Sequence, residues 1–102
     1  MSAKGYLIVE SKVSDPTAYE AYKTLAQAAI AQYGGRYLVR GGASEILEGN
    51  WKNTPRLVVV EFDSVDAARN FYHSPEYQAA RQKRLEAAQM NMLVVAGVEN
   101  LV

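Results

Sequence analysis

Few side chains in this sequence can move a proton or hold an anion, and that narrows the chemistry before any fold is considered. His73 is the only histidine, and imidazole is the side chain whose ordinary pKa suits a general base near neutral pH. Tyr72 beside it offers a phenol and an aromatic face. Glu61 ends the apolar run LVVVE, and a carboxylate there becomes a second proton acceptor if the fold holds it in a partly dry site. Arg40 stands directly before Gly41 and Gly42, which leave room for its guanidinium to clamp a carboxylate or phenolate. Tyr22 adds a hydroxyl from within a helical stripe. His73 and Glu61 are therefore the catalytic candidates, and Arg40, Tyr22 and Tyr72 the ligand-binding ones. Each has a structural alternative: a helix-end histidine, a strand-end glutamate, an arginine paired to Glu45 or Glu61, and tyrosines that fill a core.

The totals close off other chemistries. Eleven basic residues balance eleven acidic ones and no basic run occurs, so the electrostatic footprint of a nucleic-acid binder is missing. With no cysteine and a single histidine, disulfides, thiolate zinc sites, iron–sulfur clusters and a cysteine nucleophile drop out, and no metal or cofactor is expected. The glycines of GGRYLVRGG precede a strand and lack the lysine of a phosphate-binding loop. The opening MSAKGYLIVE breaks its apolar run at Glu10, too soon for a signal core or membrane span, and the expectation is a cytoplasmic protein with no membrane partner. At 102 residues the chain is expected to form one domain, residues 1–102, that buries roughly 60–65% of its unfolded surface.

The elements that must position those residues are legible from spacing. Residues 33–42, YGGRYLVRGG, close a helix, form a short strand at 36–40 and release it. Gly34 and Gly35 are expected to supply positive φ, and Gly41 and Gly42 to end or bulge the strand. Upstream, residues 5–12 read as strand one and Asp15-Pro16 as a helix start. That helix runs to about residue 32, with Tyr19, Tyr22, Ala26, Ala29, Ile30 and Tyr33 on one face. Strand two resumes or not at 45–47, and 49–55 is turn chemistry apart from Trp51. Residues 56–62 are strand three. Asp63-Ser64 starts a second helix whose buried stripe is Val65, Ala68, Phe71 and Tyr72. A break near His73 precedes a restart at Ser74-Pro75-Glu76, helix to 89, strand four at 92–96, and an apolar tail at 98–102.

The order βαββαβ is that of an α+β, ferredoxin-like sandwich: a four-stranded antiparallel sheet with its helices on one face. Strands one, three and four are apolar at both parities, yet helices cover only one face. The other needs a cover that 102 residues do not supply, and a two-fold homodimer through the open sheet face provides it.

Together YGGRYLVRGG, EILEGNW, RLVVVEF and FYHSPEYQAAR resemble the family catalogued as domain of unknown function 1330, over residues 6–96. The resemblance implies a dimeric α+β barrel. Barrels of that type include cofactor-independent antibiotic-biosynthesis monooxygenases, lactone isomerases and haem-binding chlorite dismutase relatives, but this family has no assigned activity and fold likeness carries no chemistry with it. Three functions follow as expectations. The first is a small dimeric protein that binds an aromatic or carboxylated molecule between helices and sheet, through Arg40, Tyr22, Tyr72 and His73. The second is a cofactor-independent monooxygenase or isomerase in which His73 or Glu61 takes a proton and Arg40 steadies the anion. The third is a purely structural or interaction dimer.

Overall fold

The computed structural model describes residues 3–51 and 56–99. The elements follow in the order β1 (Gly5–Val13), α1 (Pro16–Gln32), β2 (Arg36–Arg40), β3 (Arg56–Phe62), α2 (Val65–Tyr72), α3 (Pro75–Arg84) and β4 (Ala88–Ala96). Each helix begins on a capping side chain. Asp15 accepts from the Ala18 N–H at 3.1 Å, Ser64 from Ala67 at 3.0 Å and Ser74 from Tyr77 at 3.0 Å, each satisfying a donor that the first helical turn leaves free. Pro16 and Pro75 open α1 and α3, where a missing N–H costs nothing.

All four strands pair antiparallel in the order β2-β3-β1-β4. The fold is ferredoxin-like α+β. Leu7 lies opposite Val60 and Val94, and Val9 opposite Val58 and Met92; these side chains meet the helices. The core between the layers contains Phe62, Phe71, Tyr77 and Val60, each 1% exposed or less. Residues of the other parity, Ile8, Val59 and Leu93 among them, form the face that none of the described helices covers. The Cα envelope measures 44 × 38 × 16 Å, a slab one sheet and one helix layer thick.

Several local expectations change. Gly34 has φ +78° and turns the chain, but Gly35 has ordinary φ. Its role is close approach, since a Cβ there would meet Ile30 Cγ2 at 2.7 Å and Phe62 Cζ at 2.8 Å. The irregularity in β2 falls at Leu38, between Tyr37 and Val39, rather than at the glycines; Gly41, φ +68°, ends the strand. No strand forms at 45–47. Helix α3 stops at Arg84 and β4 starts at Ala88, because pairing of Ala88, Gln89 and Met90 with Val13, Lys12 and Ser11 overrides the helix propensity of that stretch. The turn expected at 49–55 and the tail at 98–102 extend, at 52–55 and 100–102, outside the described residues.

Candidate functional site

Among the described residues, two spaces lie between the helix layer and the sheet. The first lies between α1 and the sheet, where Tyr22, Tyr37, Arg40 and Arg56 meet apolar core residues around a cavity of about 40 Å³. That holds a water or two and no ligand of drug size. Tyr22 is buried there, its hydroxyl 3.1 Å from that of Tyr77. Burial, reinforced by Tyr77, drives the Tyr22 pKa far above the ordinary phenol value; it is a neutral hydrogen-bonding core residue. Arg40 lies on the helix side of the sheet, its guanidinium 4.5 Å from the Tyr37 ring centroid and donating to Gln27 at 2.9 Å.

The second space is a groove of about 590 Å³ along edge strand β4, beneath α2 and α3. Tyr72 and His73 line it from the end of α2, their rings edge to face at 5.2 Å between centroids. His73 caps that helix, its backbone N–H bonded to the Arg69 carbonyl, and its side chain is exposed. Met90, Met92 and Val94 form the apolar floor.

Three arginines that the sequence reading did not single out complete the groove: Arg69, Arg81 and Arg84. Arg69 pairs with Asp66 at 3.2 Å. Arg84 is 8% exposed, its guanidinium 5.8 Å from the Tyr22 ring centroid. Burial opposes its charge, but the Tyr77 and Tyr22 oxygens outweigh it and the pKa rises. Among the described residues neither Arg81 nor Arg84 has a carboxylate within ion-pair distance, the Nε of each is buried without a partner, and no acidic residue lines the groove. A signal did exist in the sequence. Arg81 and Arg84 are three apart in QAARQKR and so share a helix face, here one that also buries Tyr77 and Ala80.

Glu61 is elsewhere. It projects from the open face, where Tyr6 donates to Oε2 at 2.9 Å and Arg36 to Oε1 at 3.0 Å. Arg36 also reaches Asp63 at 3.1 Å. The Tyr6 hydroxyl first, and Arg36 second, hold the Glu61 carboxyl below the usual carboxylate range. Glu10 shares that face and accepts from Asn91 at 2.7 Å. So the five candidates do not converge. Tyr22 and Arg40 border the small cavity, Tyr72 and His73 the groove, and Glu61 faces away from both. Arg40 and Tyr22 thus line one space and Tyr72 and His73 another, while Glu61 and Arg40 project from opposite faces of the sheet. Among the described residues no cluster of histidine and carboxylate side chains can hold a metal.

A family model for the domain of unknown function DUF1330 matches residues 4–98. The chain belongs to the DUF1330 family. Solved structures with the same fold as this DUF1330 chain include the RPA0582 protein of unknown function from Rhodopseudomonas palustris, 18% identical with a TM-score of 0.74, the match covering 98% of this chain and 86% of that one. SnoaB, a cofactor-independent oxygenase from Streptomyces nogalater, is 14% identical with a TM-score of 0.69 and 98% of each chain covered. A dimeric ferredoxin-like protein of unknown function from Thermobifida fusca is 18% identical with a TM-score of 0.58, covering 94% and 92%. At these identities the likeness is one of fold. No curated protein matches this DUF1330 chain, and no helix among the described residues is long and apolar enough to cross a membrane.

Proposed function

We propose that this DUF1330 protein is a homodimer, closed through the open sheet face, that binds a small aromatic carboxylate in the groove between α2–α3 and β4. One observation carries the ligand: a groove of about 590 Å³ holds three arginines and Tyr72 over an apolar floor, with no acidic residue among the described residues that line it. That volume lies within the usual range for small-molecule sites. A guanidinium buried without a carboxylate is costly, and a ligand carboxylate relieves that cost while its ring packs on Tyr72 and the methionines. The dimer is supported by the uncovered face, where Leu93 is 57% and Val95 46% exposed, and by the dimeric state of the Thermobifida fusca neighbour.

Calorimetric titration with 4-hydroxybenzoate tests the site. Arg84→Met, which keeps the apolar volume, is expected to weaken binding by about 10- to 100-fold, the worth of a charge-assisted hydrogen bond. Equal affinities in the two proteins, with both folded, would remove the arginine from the site.

A second reading makes the bound molecule a substrate for cofactor-independent oxygenation or isomerisation. It is supported by the place of His73 on the rim of the cationic groove, where a base faces an acidic substrate whose anion the arginines favour, and SnoaB is an oxygenase of that kind. His73→Gln separates the two readings. Turnover lost with binding kept identifies an enzyme; unchanged kinetics of substrate loss leave a binder.

A further inference from the structure

The connection from β2 to β3 is out of keeping with the rest of the molecule. Residues 41–51 are exposed throughout and carry no regular structure, yet they include Leu47 at 88%, Trp51 at 54% and Ile46 at 45% exposure. Glu45 directly precedes these apolar side chains and Glu48 stands between Leu47 and Trp51. Long irregular connections in compact domains are unusual and most often functional. The Cα radius of gyration is 14.3 Å, against about 13 Å for a compact domain of this length.

This arm has the complementary chemistry to the groove. It is acidic and apolar; the groove is basic, with an apolar floor. Within one chain they are apart, because the arm leaves edge strand β2 and the groove follows the opposite edge, β4, with β3 and β1 between. At about 4.8 Å per strand, the two edges are roughly 14 Å apart. In a face-to-face dimer whose two-fold axis runs along the strands, each β2 lies over the β4 of its partner. The axis also preserves the end of the sheet. The arm departs beside Arg56, whose pairing partner Ser11 is also opposite Met90, and Met90 is at the start of the groove.

We infer that the arm of one copy is the lid of the groove in its partner, so that each binding site is completed by a second copy of this chain. This rests on the groove being the binding site. Leu47 and Trp51 cover the apolar floor, and Glu45 and Glu48 meet the outer arginines, Arg81, which has no carboxylate among the described residues, and Arg69, which already pairs with Asp66. Arg84, the most buried, is left for the ligand. With Arg69 on Asp66 and Arg81 met by the arm, one buried guanidinium remains for a small carboxylate.

The absence of cysteine makes the test direct. The full chain carrying Leu47→Cys and His73→Cys is treated with a short bis-maleimide and resolved by mass under denaturing conditions. A covalent dimer that requires both substitutions is expected. Cross-linking within one chain, dimers from Leu47→Cys alone, or no cross-link each overturns the inference. Trp51, the single tryptophan, gives a second reading: iodide should quench its fluorescence several-fold less in the dimer than after dilution to monomer, and equal quenching counts against docking. Finally, Leu47→Ser with Trp51→Ser should weaken 4-hydroxybenzoate about tenfold without dissociating the dimer. Unchanged affinity overturns the lid. Should native protein not bind 4-hydroxybenzoate at all, the binding reading fails, while the cross-link still decides where the arm lies.

Discussion

The two faces of the sheet are made of the same residue types and have opposite fates. On the helix side Val60 is 1% exposed and Phe62 completely buried. On the other side Leu93 and Val95, on the same strand pair network, keep about half their surface. Alternation along a strand therefore separates a core finished within one chain from an apolar face that the described helices leave open. The polar groups differ in the same way. The helix side satisfies its tyrosines internally, as between Tyr22 and Tyr77, whereas the open face places the ion pair of Glu61 with Arg36, and the neutral Tyr6 hydroxyl that donates to Glu61, toward one end.

Substitutions should follow this contrast. The largest effect is expected from Phe62→Ala, whose ring packs on Phe71 at 5.3 Å between centroids; a loss of about 3–5 kcal/mol is the usual cost of such a cavity, read by urea unfolding. A loss under 1 kcal/mol would mean the helix-side core is not the main source of stability. Val59→Glu, in the middle of the open face, should halve the mass found by light scattering while circular dichroism keeps the native signature. A dimer that survives this charge would place the interface elsewhere. Tyr22→Phe leaves the buried Tyr77 hydroxyl without its partner and should cost about 1 kcal/mol, measurable as a lowered melting temperature.

The smallest effect is in acid. Glu61 and Asp63 have folded-state pKa values below their ordinary ones, Glu61 through Tyr6 and then Arg36, Asp63 chiefly through Arg36. Such groups stabilise the native state above the ordinary carboxylate pKa, and that contribution fades as pH falls through the lowered value. Stability should thus decline below the ordinary carboxylate range, and Glu61→Gln should flatten the decline. An identical acid profile in the variant would detach the open-face network from stability.

The sequence made the helix side legible and the site only partly so. Apolar periodicity and the Asp15, Ser64 and Ser74 caps mark the helices because local chemistry decides them. The end of α3 was missed because β1 pairing, a long-range event, draws residues 88–90 into a strand. Glu10 and Glu61 could be assigned to strands but not to a face, since register depends on partners the sequence does not name. Arg84 escaped notice for a related reason: in QAARQKR it reads as one more solvated cation until Tyr22 and Tyr77 are folded against it. Arg36, at the start of β2, is the arginine paired to Glu61.

The extra residue at Leu38 settles what the two arginines of β2 do. Arg36 and Arg40 are four apart, and in an unbroken strand both would project from one side. The slip between Tyr37 and Val39 sends Arg36 to the open face and Arg40 to the helices. Deleting Leu38 would leave the arginines three apart and still on opposite faces, whereas closing the slip at unchanged strand length would carry Arg40 to the open face, stripping the small cavity of a cation and adding like charge near Arg36. The slip in β2 thus sorts two identical side chains to opposite faces, Arg36 to the Glu61 network and Arg40 to the helix-side cavity, without changing the identity of either arginine.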